Sequence, residues 1–301
     1  MTEFQANTLR IVSLVLLPTL MIAFSESPAS AQLVKKGLRN VNGASLYYEV
    51  KGKGFPLVLI SGGGLMDNRA WDKQFETFSK HYKVIRYDIR GIGKSSRPQG
   101  SFSHSHDLQA LLKFLKVRKA HVVGLSFGGG IALDFALDYP EMVDHMVLAA
   151  SGTSTDAKGE ANLQGLAWLS SIAKKDGIAK MTELVSQTPT FIAKENLAAQ
   201  ETIRRNYLDN HDVFESDFPL VTLWQPTKPA AANRLEEIRG PVLIMIAEHD
   251  IPAYKEITDR LAQGLSRARK IVIPGAAHAI NLDKPKEFDD AVLAFLGANR
   301  K

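Results

Sequence analysis

The sequence predicts an α/β protein: a mostly parallel sheet flanked by helices, interrupted by an inserted helical cap. Three observations carry this. From about Ser45 to Ala150, short apolar runs alternate with stretches whose apolar residues recur at helical spacing. The same alternation returns from Pro241 to the C-terminus. Between them, over residues 154–234, the chain turns helical in character and shows no strong strand. Short buried strands alternating with amphipathic helices indicate a parallel sheet covered on both faces. The interruption is too long for a structureless loop, so it is read as a helical domain resting on the sheet.

The elements follow in order. SLYYEV at 45–50 and PLVLIS at 56–61 are strands, and Gly62-Gly63-Gly64 ends the second. RAWDKQFETFSKHY at 69–82 is an amphipathic helix, KVIRYD at 83–88 a strand and HDLQALLKFLKV at 106–117 a helix. AHVVGL at 120–125 is a strand that runs into the helix FGGGIALDFALDY, and MVDHMVLAA at 142–150 ends in another strand. Late in the chain PVLIMIA, AYKEITDRLAQGL, RKIVIP and KEFDDAVLAFLGA give strand, helix, strand, helix. No internal repeat or low-complexity tract is visible.

Bulk properties narrow the function. The chain has 301 residues, 45% hydrophobic and 23% charged, an ordinary balance for a protein with a real core. Its net charge of +5 is spread along the chain. No basic stripe or known motif points to nucleic acid. With no cysteine, disulfides, thiolate metal sites and a cysteine nucleophile are excluded. The N-terminus differs from the rest. Arg10 precedes an apolar run, Ile11 to Phe24, followed by Ala29-Ser30-Ala31. These are the parts of a secretory signal peptide, expected to be cleaved after Ala31 and to send the protein to the periplasm or outside the cell. The run is short for a membrane span and contains Pro18. An uncleaved N-terminal anchor is the alternative, and the expected contact with a membrane goes no further. The organisation is therefore a signal at 1–31, a first core part at 32–153, the cap at 154–234 and a second core part at 235–301.

The chemistry centres on Gly124-Leu125-Ser126-Phe127-Gly128. This is G-x-S-x-G with a strand before it and a helix after it, the context that gives the motif meaning. The turn is too tight for side chains at the flanking positions, and it lifts the serine hydroxyl above the sheet edge. The following helix N-terminus favours developing negative charge there. A serine needs a base. Among eight histidines, His278 in the late loop GAAHAIN is the expected one, with His249 its rival. Asp250, just past the strand PVLIMIA, is the expected carboxylate that fixes the histidine tautomer, with Glu248 its rival. The oxyanion donors are expected to be the N–H groups of Phe127 and Gly63, with Gly64 the alternative to Gly63. Gly64, Leu65 and Trp224 are expected to line the substrate pocket. The wider apolar candidates in the insertion are Leu166, Trp168, Leu169, Phe191, Phe214, Phe218 and Leu223.

Four segments together, LVLISGGG, YDIRGIGKSS, VVGLSFGGG and the pair IAEHDIP with PGAAHAINLDKP, resemble the α/β-hydrolase fold family over nearly all of residues 40–300. The resemblance implies structural roles for Asp88 and Arg90 and a pocket-shaping role for the cap. Many relatives carry His-Gly where this chain has Ser61-Gly62. The expected activity is a serine hydrolase cleaving a small ester or lactone through an acyl-enzyme on Ser126, with no metal or organic cofactor. The same triad serves C–C bond hydrolases, perhydrolases, acyltransferases and receptors with vestigial turnover, and it does not choose among them.

Overall fold

The computed structural model describes residues 34–63, 65–153, 159–215 and 223–297. The expected signal at 1–31 lies outside them. The described residues form an eight-stranded sheet. In chain order the strands are β1 (Lys35–Val41), β2 (Ala44–Lys51), β3 (Pro56–Ile60), β4 (Lys83–Tyr87), β5 (Ala120–Leu125), β6 (Val143–Ala149), β7 (Val242–Ala247) and β8 (Ala268–Ile273). Their order across the sheet is β1-β2-β4-β3-β5-β6-β7-β8. β1 and β2 run antiparallel, as do β2 and β4, and every later neighbouring pair is parallel.

The central strands read as apolar runs because helices cover both faces. All six residues of β5 and all six of β7 are buried. Alternate side chains go to opposite faces. Val58, Ile60, Val122 and Leu148 join one core layer, and Leu57, Leu59, Val123 and Val147 join the other. The first layer is closed by α2 (His104–Phe114) and α3 (Phe127–Asp138), through residues such as Leu108, Leu111, Ile131 and Phe135. The second is closed by Phe75 and Phe78 of α1 (Asp72–Phe78) and by Phe288, Val292 and Leu296 of the C-terminal helix, Pro285–Gly297. The predicted helix at 69–82 is shorter than expected. A 3-10 turn at Asn68–Trp71, capped by Asp67, leads into α1 and takes the first residues.

Between β6 and β7 the described chain is helical: α4 (Gly159–Asp176), α5 (Ile178–Gln187), α6 (Leu197–Asp209) and α7 (Asp212–Glu215). These helices are pinned to the sheet domain by side-chain amides. Asn206 Oδ1 accepts from the Asp67 N–H at 3.0 Å, and Asn210 Nδ2 donates to the Leu65 carbonyl at 3.0 Å. Among the described residues no helix is long and apolar enough to cross a membrane.

Candidate active site

β5 ends at Leu125 and α3 starts at Phe127, so the chain turns from strand to helix across Ser126 alone. Ser126 has φ 52° and ψ −116°. For a residue with a Cβ this strain costs about 1–3 kcal/mol, so the surroundings must hold it. They do so through the backbone. The Ser126 N–H donates to the Ala149 carbonyl at 2.8 Å, and its own carbonyl accepts from Gly129 at 3.0 Å and Gly152 at 3.1 Å. Space requires the flanking glycines. A Cβ at Gly124 would sit 2.3 Å from the Gly128 oxygen, and one at Gly128 would sit 2.4 Å from the Ile60 oxygen. Gly128→Ala is therefore expected to destabilise the fold by about 3 kcal/mol, because backbone must move. Urea unfolding checks it, and an unchanged midpoint would show that the turn has slack.

His278 reaches Ser126 from the loop after β8. Its Nε2 lies 2.9 Å from Ser126 Oγ, and its Nδ1 lies 2.7 Å from Asp250 Oδ1. All three residues are buried. The loop that carries His278 is fixed from the inserted segment: its N–H donates to the Thr190 carbonyl, and the Ala279 N–H to that of Phe191, each at 3.0 Å. Asp250 follows β7, and its Oδ1 also accepts from the Ile251 N–H at 2.7 Å. Its Oδ2 is buried and has no hydrogen-bond partner among the described residues. The carboxylate charge is thus shared among few donors and is directed at the imidazole. The two rivals lie elsewhere. His249 has a side chain 62% exposed, and Glu248 spends Oε2 on the Gly275 N–H at 2.7 Å, holding the turn that leads to His278.

The loop after β3 passes beside Ser126. A Cβ on Gly63 would lie 3.1 Å from the Phe127 Cβ, so this loop runs close against the side chain of the first residue of α3. Among the described residues the N–H of neither Gly63 nor Phe127 is taken by another acceptor. Gly64 lies outside the described residues. Ser61 Oγ donates to the Asp67 carbonyl at 3.0 Å and ties the loop.

Ser126 and His278 open into a cavity of about 310 Å³. Of the apolar candidates in the insertion, Trp168, Leu169 and Phe191 line it. Two pocket expectations are corrected. Leu65 is fully buried in the core and is not part of the wall, because its loop turns the side chain inward under the Asn210 tether. Trp224 packs behind the wall: it bridges to Phe102, and its ring centroid lies 5.0 Å from that of Phe127. Leu223 is not a lining residue either, and Phe218 and the side chains of Leu166 and Phe214 lie outside the described set. Sequence reasoning missed Tyr254, whose hydroxyl is 3.4 Å from Ser126 Oγ and whose ring lies 4.4 Å from His278. The available signal was its place four residues after Asp250, in the first turn of α8 (Pro252–Gly264).

The family model for the alpha/beta hydrolase fold matches residues 56–285. The chain belongs to that family. Similar proteins include one provisionally named carbamate hydrolase RutD, from Agrobacterium fabrum, 26% identical over 83% of this chain and 98% of that protein. The (E)-2-((N-methylformamido)methylene)succinate hydrolase of Acinetobacter baylyi is 25% identical over 88% of this chain and 98% of its own length. Among solved structures, the enol-lactonase from Burkholderia xenovorans superposes with a TM-score of 0.72 and 23% identity, covering 87% of this chain and all of that one. That likeness speaks to the fold alone.

In this alpha/beta hydrolase the motif after β4 is structural in its contacts. Asp88 accepts from the Asn68 and Lys94 N–H groups at 2.8 and 2.9 Å. Burial pushes its pKa up to about 6 against these bonds. His104 is also buried, and burial, helped by Arg90, pulls its pKa down to about 3, so it is neutral packing against Phe102 and Phe127. Away from Ser126, His145 stands in a cluster of titratable side chains. His121, Asp144 and His145 bring their ligating atoms within 4.8 Å of one another, with Lys119 Nζ 3.3 Å from Asp144. They sit near the first residues of β5 and β6, whereas Ser126 follows the last residue of β5.

Proposed function

We propose that this hydrolase cleaves small carboxylic esters or lactones through an acyl-enzyme on Ser126. The observation that carries the reading is the unbroken line from Asp250 Oδ1 through His278 to Ser126 Oγ, ending at the wall of an apolar cavity. Ser126 Oγ attacks the carbonyl carbon while His278 Nε2 takes its proton. Asp250 holds Nδ1–H toward itself and stabilises the imidazolium. The N–H groups of Phe127 and Gly63 receive the oxyanion. His278 then protonates the departing alcohol oxygen. A water, deprotonated by the same nitrogen, releases the acid and restores Ser126. Residues 154–234 act as the cap that walls the acyl site, with Trp168, Leu169 and Phe191 from that segment on the cavity.

Carbamate cleavage runs through the same attack, and the name of the Agrobacterium relative makes it the second reading. The test is turnover of p-nitrophenyl acetate, butyrate and octanoate by the full chain, beside labelling with an alkyl fluorophosphonate. Steady multiple turnover with the label on the peptide bearing Ser126 supports the ester reading. Label without ester turnover moves the search to carbamates, C–C cleavage or ligand binding. No label at all removes Ser126 as the nucleophile.

A further inference from the structure

The backbone on both sides of the base is anchored on the inserted segment. The His278 and Ala279 N–H groups reach it directly, at the Thr190 and Phe191 carbonyls. The Ala277 N–H reaches it through a side chain: it donates to Asp283 Oδ2 at 2.8 Å. Asp283 closes the short helical turn Ile280–Asp283 and is buried. Its other oxygen is held by Asn196, the N-cap of α6. Asn196 Nδ2 donates to Asp283 Oδ1 at 3.2 Å and shares its hydrogens with the Leu282 and Asp283 carbonyls at 3.2 and 3.0 Å. Asn196 Oδ1 accepts from the Ala199 N–H at 3.1 Å, which fixes the way the amide lies. One carboxylate thus joins the start of α6 to the residue before His278.

The residues that hold the base also face the cavity. Thr190 and Phe191 are on its wall, and the Phe191 ring centroid lies 5.5 Å from that of His278. A general base works only when its nitrogen is held close to the productive geometry, and a misplacement of about 1 Å can cost about 10²-fold. Resting on the serine-hydrolase reading, we propose that Asp283 is a positioning residue for His278 and that, with Asn196, it makes the inserted segment part of the base's support. Asp283 acts through the Ala277 N–H. Cavity wall and base form one unit, so what shifts Phe191 shifts His278.

Asp283→Asn separates the two bonds at nearly unchanged volume. With its amide oxygen toward the Ala277 N–H, its NH₂ group faces Asn196 Nδ2, donor against donor. Turned over, it faces the Ala277 N–H in the same way. The experiment uses the full chain, with rates taken per folded molecule. In Asp283→Asn, kcat on p-nitrophenyl butyrate should fall about tenfold with KM within about twofold of wild type. Asn196→Ala, which leaves Asp283 in place, should lower kcat by about threefold, and the double variant should sit no lower than Asp283→Asn alone. The NMR signal of the proton between His278 and Asp250 should shift or broaden in Asp283→Asn. An unchanged kcat, or an unmoved proton signal, overturns the proposal, because Asp283 would then do no more than hold its turn. A raised KM at constant kcat also overturns it, since the effect would lie on the cavity wall. Losses that multiply in the double variant overturn the part given to Asn196. A wild type with neither ester turnover nor fluorophosphonate label removes the hydrolase reading instead. The proton signal needs no turnover, so it still decides whether Asp283 positions His278.

Discussion

Ser126→Ala is expected to lower kcat/KM on p-nitrophenyl butyrate by about 10⁵-fold with no change of fold. The substitution removes one oxygen. It leaves Cβ in the same strained geometry and keeps the three backbone bonds to Ala149, Gly129 and Gly152. What is lost is the atom 2.9 Å from His278 Nε2. Asp250→Asn should cost about 10⁴-fold for a different reason. An amide nitrogen facing Nδ1 would favour the tautomer that carries its proton on Nε2, where a base is needed. The two losses should not add, because both variants disable one step. The double variant should sit at the level of Ser126→Ala alone. Active-site titration before the assay guards against trace wild type. Retention of a tenth of the activity in Ser126→Ala would remove this serine from the reaction.

The parts legible in the sequence are those where local physics decides. β5 and β7 are buried on both faces, so nothing but apolar residues fits, and the runs stand out. β1 was not legible. Lys35, Lys36 and Arg39 are exposed on it, and it is held by backbone pairing to β2 at the sheet edge. An edge strand facing water needs no apolar period. That Ser126, Asp250 and His278 meet was legible because each follows a strand end, and parallel strands bring those ends to one side. The wall of the cavity was not. Trp168 and Trp224 are alike in sequence terms, yet one faces the cavity and the other packs on Phe127. That difference is set by how residues 102 and 224 pair, far apart in the chain. Tyr254 was missed because its contacts with Ser126 and His278 join segments far apart in the chain.

Arg90 should be the costliest surface-charge-type residue to lose, because it is not on the surface. It donates from Nε and Nη2 to both oxygens of Asp107 at 2.8 and 2.7 Å, and to the Asn42 carbonyl at 2.9 Å. The paired side chains are 4% and 2% exposed. Its guanidinium carbon also lies 5.0 Å from the centre of the Phe102 ring. Arg90→Met leaves the Asp107 carboxylate buried with Asn42 Nδ2, at 3.1 Å, as the remaining side-chain donor. An uncompensated buried charge of this kind costs about 3–5 kcal/mol. Because the pair bridges the loop after β4 to α2, the loss should appear as a lower urea midpoint with an unchanged slope. Arg90→Met with Asp107→Leu should recover most of that loss, since a buried pair replaced by apolar groups is often near neutral. Activity per folded molecule should stay near wild type in both variants. A selective fall in kcat with normal stability would mean that Arg90 acts on the site, and the structural reading of the motif at 87–95 would have to go.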